Sequence, residues 1–324
     1  MNIVLYNFFL FFKLYILIFC NPVFAKDSFD SFKNAIIKEG LEKGISIETL
    51  KQNLYPIKTI NKKVLNLYSN QPEFKITFHD YQKRNINEKR ISKGKKLIVK
   101  HKDLLNKIKI KYGIPAEIIV AIWALESNYG YYTGSFNIID ALATLSHQSK
   151  RKVFFKKELF NALEILDKRY IDSNLLKGSW AGAMGQSQFM PSSYLNYAVD
   201  FNNDNKVDIW NNHSDVFASI ANYLNKHKWK KGEPWSFSIN KINDSNISLK
   251  RKYALADLKN KIELKQDLEN FSGDLKAELK RMNSSNIEEN FLVFRNFFVL
   301  KKYNNSDFYA LTIGSLANKI KLKK

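Results

Sequence analysis

Glu126 closes an almost unbroken apolar run, 118–125, and is followed by Ser127, Asn128, Tyr129 and Gly130. A carboxyl in that setting is a candidate general acid. Apolar neighbours disfavour its charge, and the C-terminal end of a helix is the negative pole of the helix dipole. Both favour the protonated form, the state needed to deliver a proton near neutral pH. A helix-end Glu directed into water has the same local sequence. A second stretch, 178–194, reads GSWAGAMGQSQFMPSSY. Its small residues let a ligand approach the backbone, and its Ser, Gln, Trp and Tyr side chains can bond to and stack on a polyhydroxylated ring. A loop that only packs helices is the alternative reading.

These residues need elements to hold them. Pro115 suits a helix's first turn and Gly130 suits its stop, so the stretch between them is expected to be a helix, buried because its apolar side chains cover nearly every face. Segment 30–53 reads as two short helices, with Gly44 ending the first and Ser46 capping the second. Segment 55–70 contains Pro56 and reads as a wrapping connector. A long, Lys- and Arg-rich helical stretch is expected over 78–112. Helices follow over 140–145, with Asp140 as N-cap, over 153–166, from Ser192, over 216–226 and over 308–320. The stretch 235–247 suits short strands or loops, and 296–300 is the best strand candidate. No internal repeat and no linker rich in Pro or Gly interrupts the chain. The fold class is mainly α with a small β component.

The 324 residues are ordinary globular material, 45% hydrophobic and 26% charged. The first 25 residues differ. Residues 3–19 are nearly all apolar, and Val23-Phe24-Ala25 precedes Lys26, as in a secretory leader cut after Ala25. Its start carries no Lys or Arg before Lys13, so an uncleaved membrane anchor is the rival reading. The single cysteine, Cys20, lies in this leader and follows Phe19, where a lipoprotein signal needs a small residue. A mature chain from residue 26 has no cysteine, which excludes disulfides, zinc–thiolate sites and Cys nucleophiles. The net charge of +21 favours polyanions, though the abundance of Lys, Asn and Ile fits biased coding composition as well. The five histidines show no metal-ligand spacing.

The two motifs together, ESNYG at 126–130 and GAMGQSQFMPS at 182–192, resemble the MltB-type lytic murein transglycosylases. The resemblance extends through 71–74 and 78–81, 140–145, 221–224 and 303–306, covering roughly 30–320 and weakest over 236–289. It implies a lysozyme-like fold: a groove-forming core at about 110–230 inside a catalytic domain of 26–324, with the terminal segments packed around it. It also implies cleavage of the MurNAc–GlcNAc bond of peptidoglycan with a 1,6-anhydromuramic acid end. Carried over by position, Glu126 matches the catalytic acid/base, and Ser179, Gln188, Tyr223, Tyr303 and Asn304 match groove residues. Tyr81 matches an aromatic from the N-terminal part. Lys150 and Arg151 fall where the family has an Arg pair near the peptide stem. Gln186 stands where some members carry Tyr. Tyr131, Tyr132, Tyr194 and Trp180 suit either sugar stacking or ordinary packing.

The residue inventory suits that chemistry. Ordinary glycosidases need two carboxylates, whereas attack by the sugar's own 6-hydroxyl needs one. A hydrolytic muramidase, with water attacking, and a silent wall-binding scaffold are the alternatives. Nucleic-acid binding is disfavoured by export and the lack of a reading motif. The loop 200–208 places oxygen side chains at Asp200, Asn202, Asp204 and Asp208 in calcium-loop spacing, with the Lys206 carbonyl between them and Asp215 able to add a carboxylate beyond Asn211. The family resemblance implies a structural calcium here, with none needed for catalysis; a solvated Asx-rich turn is the alternative. Expected partners are peptidoglycan glycan strands and other cell-wall enzymes, with a membrane only if the leader is uncleaved, and the expected state is a periplasmic monomer.

Overall fold

The computed structural model describes residues 28–70, 76–244, 246–249, 251–264, 271–284 and 287–322. The leader reading at 1–25 and the matching residues 71–74 lie outside the described residues. Among the described residues there are thirteen α-helices and seven short strands, and no helix is long and apolar enough to cross a membrane.

The helix that carries Glu126, α7 (Ala116–Ser127), is the centre of the fold. Residues 118–124 and Ser127 are all buried. Four helices surround it: α5 (Glu88–Lys100), α6 (Lys102–Tyr112), α11 (His213–Lys226) and α13 (Asp307–Ile320). A helix apolar on every face is stable only when enclosed in this way. Its C-terminus is fixed by an uncommon turn, since Asn128, Tyr129 and Gly130 all have positive φ, at 49°, 62° and 80°. The Asn128 N–H donates to the Ala124 carbonyl and the Tyr129 N–H to the Trp123 carbonyl, which satisfies the last turn.

The remaining helices form a shell. α1 (Phe29–Glu42) and α2 (Ile47–Leu54) meet at Gly44 (φ 83°) with Ser46 as cap, as the sequence indicates. They lean on α8 (Ile138–Gln148) and α9 (Lys152–Asp167), which pack on each other. A two-strand ladder joins β1 (Phe136–Asn137) to β2 (Lys177–Gly178), tying the segment after α7 to the start of the glycine-rich loop. The C-terminal half adds an antiparallel five-stranded sheet over its own apolar cluster. The strands are β3 (Ser236–Ile242), β4 (Lys252–Ala254), β5 (Ile262–Leu264), β6 (Lys276–Ser284) and β7 (Ile287–Val293), in the order β4-β6-β7-β3-β5.

Four local expectations are corrected. Residues 296–300 form no strand but lie in α12 (Arg295–Tyr303), where Phe297, Val299 and Leu300 are buried. A short apolar run has no period that separates a strand from a buried helix, and packing against α11 and α13 decides. The Asn296 amide also ties the helix start to the carbonyls of Lys230 and Glu233. Segment 55–70 is not only connector, because Asn61 caps α3 (Lys62–Ser69) by accepting the Val64 N–H. The stretch 78–112 is three helices, α4 (Phe78–Asn85), α5 and α6, broken at Ile86 and His101. Finally, the cap of α8 is Asn137; Asp140 donates its N–H to that cap, while its carboxylate accepts from the Asn61 amide.

Candidate active site

Glu126 is part-buried at the last turn of α7. Its Oε1 accepts the Tyr309 hydroxyl at 2.6 Å. Tyr309 is 3% exposed and comes from α13. Burial first, and then the Glu126 charge, hold its phenol well above the ordinary tyrosine range, so it remains a donor at any working pH. An aromatic wall continues outward from it. Tyr303 stacks at 6.5 Å from Tyr309 and meets Tyr223 at 4.8 Å and Phe189 at 5.8 Å. Burial and the nearby Glu126 raise the Tyr303 phenol in the same way. The Tyr303 hydroxyl donates to the Ser187 carbonyl at 2.7 Å, which joins the C-terminal segment to the glycine-rich loop. The Tyr223 hydroxyl donates to the Lys302 carbonyl. Tyr81 borders the group against Phe308, with ring centroids 5.9 Å apart.

The glycine-rich loop is held by its own backbone rather than by regular structure. The Met184 N–H donates to the Phe189 carbonyl and the Phe189 N–H returns to Met184, closing a tight bulge. Gln188 sits at its tip with φ 49°, and its amide donates to the Gly185 carbonyl at 2.8 Å and to the Thr133 carbonyl at 3.0 Å. Ser179 belongs to the same unit. Its Oγ accepts the Ala183 N–H at 3.0 Å and the Ala181 N–H at 3.3 Å, a brace inside the loop.

Gln186 is the hidden link. It is 6% exposed, accepts the Trp123 indole N–H at 2.8 Å and donates to the Trp210 carbonyl at 2.6 Å. The Glu126 helix, the glycine-rich loop and the end of the Asp-rich loop are thereby connected through one amide. Gly130 packs directly on it, since a Cβ there would lie 2.3 Å from Gln186 Oε1.

The structure thus brings Glu126, Tyr81, Tyr223, Tyr303 and Gln188 together, with Ser179 in the adjoining loop. Tyr309 is the member that the motifs did not indicate. Its signal was a Tyr on the buried face of an apolar helix, whose hydroxyl must find a partner. Asn304, next to Tyr303, is exposed. Lys150 and Arg151 stand apart from the carboxyl, beside a hollow of about 700 Å³ lined also by Tyr68, Phe154, Trp180 and Met190. The Arg151 guanidinium lies 4.2 Å above the Phe154 ring.

The Asp-rich loop is organised by its carboxylates. Asp200 accepts the N–H groups of Asn203 and Asn205, and Asp208 those of Trp210 and Asn211. Asp204 accepts from the Lys206 N–H and from the Asn202 amide. The fully buried Asp215 clamps both ends, accepting from the Phe201 and Asp208 N–H groups at 2.8 and 2.9 Å. Burial raises its pKa, and the charges of Asp200 and Asp204 raise it further. Among the described residues no three Asp, Glu, His or Cys side chains converge as they would on a bound ion.

Comparison with known proteins finds relatives over most of the chain. The Transglycosylase SLT domain family matches residues 28–318. The chain is 34% identical to membrane-bound lytic murein transglycosylase B of Escherichia coli K12 over 247 residues, 75% of this chain and 67% of that one. Among solved structures it is similar to SltB3 of Pseudomonas aeruginosa in complex with NAG-NAM-pentapeptide. There the TM-score is 0.82 and the identity 32%, covering 91% of this chain and 80% of that one. It is also similar to the E. coli lytic transglycosylase Slt35 in complex with calcium, with TM-score 0.76 and 32% identity over 89% of this chain and 92% of that one.

Proposed function

The chain belongs to the Transglycosylase SLT domain family, and from that membership we propose a peptidoglycan lytic transglycosylase in which Glu126 is the only acid/base. The observation that supports the reading best is the Tyr309–Glu126 bond at the end of a buried helix, beside a wall of aromatic rings and a polar loop. Protonated Glu126 gives its proton to the leaving glycosidic oxygen as the bond from C1 of the muramyl residue breaks. The resulting carboxylate takes the proton of that sugar's 6-hydroxyl as its oxygen closes on C1. Because the nucleophile belongs to the substrate, proximity replaces a second carboxylate. Tyr309 donates to the same carboxyl and stabilises it once it is charged.

In this reading Tyr81, Tyr223, Tyr303, Asn304, Ser179 and Gln188 line the groove, and Lys150 with Arg151 meets the acidic peptide stem. The site of action is the cell envelope, reached through the leader at 1–25. Digestion of purified sacculi with mass readout of the muropeptides tests the reaction. Anhydro ends, lighter by one water than reducing ends, are expected; reducing ends would make the enzyme a hydrolytic muramidase.

We further propose that the loop from Asp200 to Asp215 holds a structural calcium. Its donors are all oxygen, as a hard cation needs. The crowding of Asp200 and Asp204 on buried Asp215 is a repulsion that a divalent cation relieves. Each Asp215 oxygen accepts one N–H and keeps a second lone pair. The ion's contribution is loop order, passed to the active site through the Trp210–Gln186–Trp123 bonds.

A further inference from the structure

We propose that Tyr131 and Tyr132 form a stacking platform for an additional pyranose of the glycan strand, beyond the sugars that meet Glu126; this rests on the functional reading above. The two rings are the most exposed aromatic side chains among the described residues, at 72% and 65%. They lie close after Glu126 in the chain, on a backbone that is anything but loose. The Tyr132 N–H donates to the Ser127 carbonyl at 2.8 Å, and the Gly130 N–H to Ser127 Oγ at 3.0 Å. Just before the pair, the Tyr129 hydroxyl donates to the Arg90 carbonyl at 2.7 Å. Just after it, the Thr133 carbonyl accepts the Gln188 amide.

These contacts locate the platform. Gly130 packs on Gln186, Thr133 bonds to Gln188, and Gly134 lies against Gly178 and the Ser179 N–H, so that a Cβ there would be 2.1 Å from the Gly178 carbonyl. The Tyr pair therefore projects from a segment laid directly along the glycine-rich loop. The rings meet edge to face, with centroids 4.5 Å apart and planes at 84°. Each covers only a little of the other. Two large rings carried on a fixed backbone and left in water gain little from the fold, and such exposure marks a surface built for contact. An aromatic face offers an apolar, electron-rich plane suited to the C–H face of a sugar, at a low entropic cost.

The test uses N-acetylglucosamine oligomers of four and eight units, titrated by calorimetry into the full chain carrying Glu126→Gln. In that background, Tyr131→Ala with Tyr132→Ala is expected to weaken octamer binding by roughly 10-fold and to leave tetramer binding unchanged. Tyr131→Phe with Tyr132→Phe is expected to retain octamer binding, because stacking needs the ring and not the hydroxyl. Octamer affinity unchanged in the double Ala variant would overturn the platform, and so would an equal loss for both oligomers, which would place the rings within the short site. A parent protein that binds neither oligomer would instead overturn the functional reading on which the platform rests.

Discussion

Tyr309 donates its hydroxyl to Glu126 Oε1 at 2.6 Å across 183 residues of chain. The Glu126 carboxyl is thus held from outside its own helix, by a phenol that burial and the carboxyl itself keep protonated. A hydrogen bond to a charged group contributes about 1.5–3 kcal/mol. Tyr309→Phe keeps the ring and the packing and removes only the donor. Its kcat on sacculi is expected to fall roughly 10- to 100-fold, with KM little changed. The basic limb of the rate profile is expected to move to higher pH, because the carboxylate loses a stabilising donor. Steady-state kinetics from pH 4 to 9 checks both effects, and a purely structural role would not move the limb.

Gly130 is constrained twice, by φ 80° and by the Gln186 amide on which it packs. Gly130→Ala is expected to cost about 2–3 kcal/mol and to lower activity as well, because it pushes Gln186 away from Trp123. A denaturant melt measures the first effect. A change in tryptophan fluorescence in native buffer reports the second.

His101 and His213 sit 5.0 Å apart against Trp123 and Phe217. Burial first, then neighbouring positive charge, keeps both below the usual histidine range. Folding therefore favours their neutral forms. That stability is fully present above the unfolded value of about 6.5 and is lost as pH falls through it towards the depressed folded values. Melting temperature, measured in chelator, is expected to decline between pH 7 and 5, with a shallower decline in His101→Phe. Identical slopes for the two proteins would rule the pair out as the cause.

Calcium at the Asp-rich loop is expected to raise the melting temperature, and chelator to reverse the shift. Asp215→Asn is expected to abolish the response, since it removes the carboxylate that closes the loop from Phe201 to Asp208. Differential scanning calorimetry with calcium, magnesium and chelator provides the check. A melting temperature that ignores calcium in the parent protein would leave the loop a plain Asx-rich turn.

Much of this arrangement is written locally in the chain, and the rest is not. The Glu126 helix is legible because its start, apolar run and stop all lie between Pro115 and Gly130, and Gly44 and Ser46 mark their helices equally locally. The residues 296–300 were misleading because a short apolar run says nothing about period once every face is buried. Asp140 resembled a cap, yet Asn137 had the same capacity one turn earlier, and the β1–β2 pairing fixed which of them stood at the helix start. Tyr309 was hidden for a different reason. Its role depends on α13 lying against α7, and no local pattern encodes a contact between such distant segments.

The central claim is that one carboxyl performs both proton transfers, and Glu126→Gln tests it most directly. The variant keeps the size of the side chain and an oxygen for Tyr309 to reach, but cannot donate and then accept the proton. Release of anhydro-muropeptides from sacculi is expected to fall by about 10²–10⁴-fold, with sacculus binding and melting temperature close to those of the parent. Release at the parental rate would contradict the account.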